Sequence, residues 1–403
     1  MFFADFNVHS KYSRGTHPDM EVPTLAKWAK LKGVGLLGTG DFTHPQWLVG
    51  LKKFLKPAGR GVYEFDGARF ALTAEVVCVF SQGGRSRKIN HMILAPNFPA
   101  ADRIVDILEP EGDLATDACP SLRLTAEGLV AAVRKAVPDA LVIPVHAWGP
   151  GHSLFSESFG FDSLEEAYGA EAAHVRVLET GHSADPAMAR RWSALDDRAL
   201  VSDSDAHHPA HIGREANLFD APVDFRDVVE ALTSADPKRF PATIEMFPEE
   251  DRHFLTGCRA CRRPAEGAEP RCRVCGKTLV RGVLDRVAAL ADRPPEEGAA
   301  RAGTFHRLLP LSDILADVRG VQPDAESVQK DYLRLVTQTG PELDILLLWE
   351  EARLRSQLPG RLADAVLAVR RGELTVEPGY DGQPGRVRAS LPPAPADAQL
   401  NLI

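Results

Sequence analysis

Residues 4–16 read ADFNVHSKYSRGT. An apolar, strand-like run ends in Asn7-Val8-His9, and side chains two apart on a strand face the same way. His-x-His at such a place would be half a metal site, but here the first position is asparagine. Six more runs of this kind follow before residue 245: VGLLGTG, FALTAEVVCVF, INHMILAP, ALVIPVHAW, VRVLETG and ALVSDSDAH. Helical patterns lie between them. EVPTLAKWAKLKG has Pro23 near its start and Gly33 past its end, the usual asymmetry of a helix. TAEGLVAAVRKAV is capped by Thr125, and DPAMARRWSAL is a third. Apolar strands alternating with helices imply a parallel sheet covered on both faces. Seven such units imply a closed α/β barrel, whose chemistry gathers at the C-terminal strand ends.

Those ends and the loops after them carry His9, Asp41 with His44, Glu75, His91, His146, Glu179, and Asp205 with His207. One histidine on an apolar strand is ordinarily a hydrogen-bonded core residue. Ligand-type residues at every strand end are a different pattern. Buried carboxylates without partners are costly, and divalent cations remove that cost. Imidazole with carboxylate suits Zn, Mn or Fe. Neighbouring ions clamp a phosphate and activate a water, so phosphoester hydrolysis is the leading chemistry; amide hydrolysis and deamination use the same donors. Of 13 histidines, 11 lie at or before His211, which puts this chemistry in the first half.

The rest of the composition bounds the answer. With 403 residues the chain holds two or three domains. No apolar run reaches the length of a membrane helix, and MFFADF lacks the pattern of a signal peptide, so a cytoplasmic, nucleoid-associated location is expected. The net charge of −9 does not suggest nucleic acid, but whole-chain charge hides local patches. Four of the six cysteines form two pairs, Cys258-x-x-Cys261 and Cys272-x-x-Cys275. Two such knuckles read as one closed structural zinc site, with a role in folding. From Arg252 to Arg286 there are nine Arg/Lys and three Asp/Glu, a net of +6, which suits a DNA backbone.

The expected divisions are an α/β barrel over 1–245, a four-cysteine zinc-binding domain over 246–290, a helical domain with a terminal hairpin over 300–390, and a flexible tail over 391–403. PPEEGAARAG reads as a linker or exposed loop. SDILADVRG, DAESVQKDYLRLVTQTG, PELDILLLWEEARLRSQL and GRLADAVLAVRRG read as helices, and LTVEPGYDGQPGRVRA as a hairpin. LPPAPADA reads as a disordered Pro/Ala tail.

The set DFNVHS, GTGDFTHP, TAEV, NHMILAP, PVHAWGP, ETGHSADP and SDSDAHHPAHIGREAN resembles the successive motifs of the PHP (polymerase and histidinol phosphatase) superfamily. With the CxxC unit behind it, the ensemble is most similar to the endonuclease Q family, DNA-repair enzymes that nick 5′ to deaminated bases. The resemblance spans most of residues 2–390. It implies a distorted (β/α)7 barrel and a cluster of two or three ions (Zn, Mn or Mg). It implies one metal on Asn7, His9, Glu75 and Asp205, a second sharing Glu75 and adding His91 and His146, and a third on Asp41 and His207. The third metal's remaining ligand is left between His17 and His44. Glu75, Asp205 and His207 are the expected catalytic residues. Family members place histidine at the position of Asn7; an amide oxygen is neutral and a poorer zinc ligand.

An enzyme that inspects damaged bases commonly flips them into a pocket. Trp148, Phe155 and Tyr380 are candidates to stack on the base, Arg259 and Arg262 to contact the substrate, and Asp185 and Arg214 to support the ligands. The terminal QLNLI resembles a bacterial sliding-clamp-binding peptide, with Gln399, Leu400, Leu402 and Ile403 as its contacts on a flexible tether. The expected partners are DNA containing damaged bases and a sliding clamp, without a membrane, and the chain is expected to act as a monomer. Three functions compete. A lesion-specific DNA endonuclease cuts 5′ to uracil, hypoxanthine, xanthine or an abasic site. A phosphomonoesterase acting on a small metabolite explains the barrel alone. A DNA-binding scaffold with a decayed site has only Asn7 in its favour.

Overall fold

The computed structural model describes residues 1–265 and 269–391. The proposed clamp contacts Gln399, Leu400, Leu402 and Ile403 and the Pro/Ala tail lie outside the described residues. Seven strands build the barrel: β1 (Phe2–Asp5), β2 (Val34–Gly38), β3 (Ala68–Gln82), β4 (Arg85–Ala95), β5 (Leu141–Pro144), β6 (Val177–Glu179) and β7 (Ala199–Val201). All seven overlap the runs read from the sequence, although β1 ends at Asp5, short of Asn7-Val8-His9. β1, β2 and β3 pair in parallel, as do β6 and β7. The ring closes where Ala147 N–H donates to Glu179 O (3.1 Å) and where Val8 bridges Ala206.

The sheet is not all parallel, which corrects the expectation. β3 and β4 form a long antiparallel hairpin, and β4 is also antiparallel to β5. The cause is Gly83-Gly84, both at positive φ (63° and 72°), which makes a two-residue turn matched to the twist of a hairpin. β1 also has an antiparallel neighbour, β8 (Ala216–Phe219), followed in the same sheet by β9 (Ala242–Glu245) and the edge strand β10 (Phe305–Arg307). The barrel sheet therefore continues past residue 245.

The barrel interior is packed by Ala4, Phe6, Leu36, Met92, Leu94, Ile143, Val145, Val177 and Val201. The helix Phe225–Ser234 plugs its lower end with Phe225, Val228, Ala231 and Leu232. Outer helices follow the sequence signals. Val22–Lys32 ends on Gly33 at φ 86°, and Thr125 caps Ala126–Ala136 through Gly128 N–H (2.9 Å). DPAMARRWSAL yields only the short helix Pro186–Ala189 and a turn of 3-10 helix. Residues 294–303, expected as a loop, contain the helix Pro295–Arg301; Pro295 in its first turn and Arg301 in its last suit helix ends.

Beyond the barrel, Gly257–Cys258 and Arg263–Pro264 form a miniature hairpin that carries the first cysteine pair. Helices Leu311–Arg319, Glu326–Gln338, Glu351–Gln357 and Gly360–Arg370 build the C-terminal part, and Leu374–Glu377 pairs with Arg386–Ala389. A buried ion pair, Lys32 Nζ to Glu342 Oε2 (2.6 Å), joins this part to the barrel's first helix.

Candidate active site

Strand ends converge at the upper mouth because the backbone there is tightly packed. A Cβ on Gly38 would lie 2.1 Å from Phe6 O, and one on Gly40 (φ 61°) 2.1 Å from Val8 O. Only glycine lets the GTGD turn run against β1. Among the described residues six non-glycines have positive φ, and three of them are Asp41, His146 and Asp205. Each turns sharply just past a strand, a conformation disfavoured for residues with a Cβ.

Asn7 and His9 face the same way, as residues two apart should. Asn7 Nδ2 donates to Glu75 Oε2 (3.0 Å), and His9 Nε2 lies 3.4 Å from the same oxygen and 3.1 Å from Asp205 Oδ1. His146 Nε2 lies 3.9 Å from Glu75 Oε2 and 3.9 Å from Asp205 Oδ2. His207 lies against His9, with ring centroids 4.3 Å apart and the rings tilted by 37°. Two groups of ligand atoms thus converge, His9–Asp205–His207 and Glu75–His146–Asp205, with all atoms of each group within 4.8 Å.

Every imidazole in these groups has a tether behind it. His9 Nδ1 is 3.2 Å from Asp41 Oδ1, His146 Nδ1 is 3.1 Å from Glu179 Oε2, and His207 Nδ1 is 3.0 Å from Asp205 O. An acceptor at Nδ1 orients each ring and keeps a proton on that nitrogen, so the other ring nitrogen is the one a metal ion would take in place of a proton. Burial disfavours the charged imidazoles, yet Asp41 and its neighbours hold His9 well above its usual pKa. Glu179, Asp205 and Glu75 likewise raise His146 to about 9 against the effect of burial. Burial opposes ionisation of Asp205 too, and the hydrogen bond from His9 with the nearby imidazoles holds it below the usual carboxylate range. A centre that draws protons this strongly attracts cations of any kind, and its imidazole and carboxylate donors fit divalent ions.

The structure corrects four expected roles. His91 is fully buried on the outer face of β4, with Nδ1 3.1 Å from Ile89 O and Nε2 2.9 Å from Tyr168 Oη. The pairing sets this: Glu75 lies opposite Met92, Val77 opposite Asn90, and Val76 opposite His91, so Asn90 shares the face of Glu75 and His91 does not. Asn90 Nδ2 donates to Glu75 Oε1 (2.5 Å); the sequence reading missed it by one residue. Asp41 is fully buried behind His9, its Oδ2 taken by Ser10 N–H and Oγ–H (both 2.6 Å), so it positions His9 rather than facing the mouth. Trp148 and Phe155 are buried against each other and Trp192 and offer no face to a base.

His44 caps the helix Pro45–Phe54 through Nδ1 and lies 3.0 Å from Ala115 O through Nε2. His17 accepts from Asp19 N–H (3.2 Å) beside His208. Tyr380 Oη donates to Arg262 O (2.7 Å), and Arg259 Nη2 to Asp381 Oδ1 (2.8 Å); these contacts dock the terminal hairpin on the cysteine unit. Asp185 caps Pro186–Ala189 and pairs with Arg307. Arg214 donates to Ser204 O (2.8 Å) and lies beside His182. Cys119, which no spacing signalled, places Sγ 3.7 Å from Glu75 Oε1.

The four cysteines Cys258, Cys261, Cys272 and Cys275 form a third group. Cys258 Sγ lies 3.5 Å from Cys275 Sγ, and Cys261 Sγ 3.8 Å from Cys272 Sγ. Zn–S bonds of about 2.3 Å at a tetrahedral angle put sulfurs about 3.8 Å apart. Backbone N–H groups of Cys275 and Val274 lower the Cys272 thiol to about 6, readying a thiolate.

A closed α/β barrel with such a donor cluster at its mouth is the PHP architecture, and a profile of the PHP-associated family matches residues 187–237. The chain also superposes on the crystal structure of the lesion-specific endonuclease PfuEndoQ from Pyrococcus furiosus. The TM-score is 0.84 at 30% identity, over 96% of this chain and 95% of that one. Endonuclease Q bound to a 27-mer duplex substrate with an abasic lesion at the active site gives a TM-score of 0.83 at 30% identity, over 96% of each chain. The uncharacterized protein YqxK of Bacillus subtilis (strain 168) is 28% identical over 374 residues, 90% of this chain and 91% of that protein. The chain belongs to the endonuclease Q family of the PHP superfamily. Among the described residues no helix is long and apolar enough to cross a membrane.

Proposed function

We propose that this protein is a metal-dependent DNA repair endonuclease that hydrolyses the phosphodiester 5′ to a deaminated base (uracil, hypoxanthine or xanthine) or an abasic site and leaves a nick. The observation that carries the reading is the tethering of His9, His146 and His207 through Nδ1, which holds three imidazoles beside the two carboxylates Glu75 and Asp205. His9, Glu75, His146, Asp205 and His207 would hold divalent ions, whose chemistry there would be to polarise a phosphodiester and lower the pKa of a bound water. Glu75 and Asp205 supply the negative charge and His9, His146 and His207 the directional donors. Asp41 and Glu179 keep His9 and His146 from rotating. The relative bound to abasic DNA supports a duplex substrate.

The cysteine unit holds one structural zinc in this reading. Its basic face, with Arg262 and the side chain of Arg259, tracks a DNA backbone. Residues 246–290 are then a zinc-binding unit beside the barrel (1–245), and 300–390 a helical unit. QLNLI tethers the enzyme to a sliding clamp, and a chain lacking Gln399–Ile403 should lose clamp binding while still nicking short oligonucleotides.

Purified protein with Mg²⁺ or Mn²⁺ should nick duplexes carrying one uracil, hypoxanthine or abasic site, and leave undamaged duplex and p-nitrophenyl phosphate intact. Turnover of the monoester alone would replace this reading with a phosphomonoesterase. Binding without cleavage of either would make the protein a scaffold.

A further inference from the structure

We propose that the end of the barrel opposite the active site binds a nucleoside diphosphate, with Arg60, Arg176 and Arg226 on its phosphates. The inference is independent of the substrate and the metals proposed for the mouth. A cavity of about 930 Å³ opens at this end, within the size range of small-molecule sites. Leu141 and Val142 in its wall open β5, and Arg176 stands just before β6. His146 and Glu179 lie at the far ends of the same two strands.

Close backbone packing sets the rim of this cavity. Gly61 (φ 67°) has no room for a side chain, because a Cβ there would lie 2.5 Å from both Phe225 Cβ and Pro96 O. Arg60 is pinned beside it, its carbonyl accepting from Phe225 N–H (3.0 Å) at the start of the plug helix Phe225–Ser234. Arg226 follows on that helix, Arg134 lies in the last turn of Ala126–Ala136, and Arg176 precedes β6. Four separate segments thus bring four arginines to one cavity, against two carboxylates, Asp139 and Glu230.

Three of these arginines keep open donors. Arg134 is held by Glu171 through two hydrogen bonds (both 2.9 Å). Arg60 and Arg176 meet Asp224 and Asp197 only at 3.7 Å, beyond a hydrogen bond. Arg226 bonds Asp224 Oδ1 through its backbone N–H (3.0 Å), and among the described residues its guanidinium has no hydrogen bond or ion pair. Glu230 is paired with Arg239 (3.2 Å), which is not part of the lining. Guanidiniums with free N–H groups take phosphate oxygens in bidentate pairs, and their spread over separate segments suits two phosphates better than one. The floor is apolar, with Val130, Leu141, Val142 and Phe225 all buried. Such a floor under flat guanidinium faces suits a planar base.

Calorimetric titration of the full chain with ADP, without added divalent ion, tests this. One ADP should bind per chain and raise the melting temperature. Arg226→Ala and Arg60→Ala should each weaken ADP about tenfold, with the ligand-free melting temperature unchanged. Asp205→Asn, which alters only the mouth, should bind ADP as wild type does. Pyrophosphate should bind more weakly than ADP, and an undamaged DNA duplex should not displace it. Absence of ADP binding, or full affinity in both arginine variants, would overturn the proposal. Loss of ADP binding in Asp205→Asn would move the site to the mouth and overturn it too. Equal affinity for pyrophosphate would remove the base from the ligand, and displacement by duplex would make this face a DNA contact; either result refutes the nucleotide assignment. ADP binding by a chain that never nicks DNA would retire the nuclease reading and leave this one standing.

Discussion

His91→Ala separates a ligand from a core residue at one position. The ring is fully buried, and burial lowers its pKa to about 4, so it is neutral in the folded protein. Truncation removes the imidazole from a packed site, a change that costs about 3 kcal/mol by analogy with large-to-small core substitutions. It also strips the partner from Tyr168 Oη, itself fully buried, at about 1–3 kcal/mol. The sum is about 4–6 kcal/mol. For a barrel of this size each kcal/mol moves the melting temperature by about 2 °C, so His91→Ala should melt about 8–12 °C lower. Its Mn²⁺ count should stay at the wild-type value when titrated well below that temperature. Asn90→Ala should show the reverse: weaker Mn²⁺ binding and near-native melting. Differential scanning calorimetry and the Mn²⁺ titration on the same preparations decide the matter. A His91→Ala protein that melts within a degree of wild type but has lost an ion would refute the assignment of faces on β4.

Other consequences follow from the supporting layer. Asp41→Asn removes the charge behind His9 and should weaken metal binding about 10-fold without changing the number of ions, read by isothermal titration. Lys32 and Glu342 are both nearly inaccessible, and Glu342 also accepts from Tyr332 Oη (2.6 Å) and Leu311 N–H (2.9 Å). Glu342→Gln strands the ammonium and should cost about 3–5 kcal/mol, whereas Lys32→Met with Glu342→Gln should recover much of it in chemical denaturation. Glu250 is raised to about 8, by burial first and then by Asp313. The folded chain thus keeps a proton that the unfolded chain releases from about pH 4.5 upward, so this group's contribution falls as pH rises from there to about 8. Glu250→Gln should flatten that part of the melting-temperature profile; an unchanged profile would exclude Glu250 as its source.

Most of the fold was legible because its signals are local. Seven apolar runs, Gly33 after a helix and Thr125 before one, and the two CxxC knuckles each report on a few neighbouring residues. What was not legible depends on partners distant in sequence. INHMILAP contains two polar residues side by side, and period two says they face opposite ways without saying which faces in. The register against Glu75 decides it. Gly83-Gly84 carried the hairpin signal between two runs read as parallel strands. The burial of Trp148 and Phe155 is sealed by Arg286, which donates to Phe155 O (2.7 Å) and Phe161 O (3.1 Å) from more than 120 residues away.

The same distinction explains Asn7. On the sequence it is a ligand position with an inferior ligand, because only the residue type can be compared. In the folded protein its amide has an observed occupation, donating to the carboxylate that a second amide, from β4, holds by the other oxygen. Two neutral donors around one glutamate orient it without adding charge. An amide at position 7 therefore has an occupation in the folded protein that residue type alone does not reveal, and its presence is no mark of a failed centre.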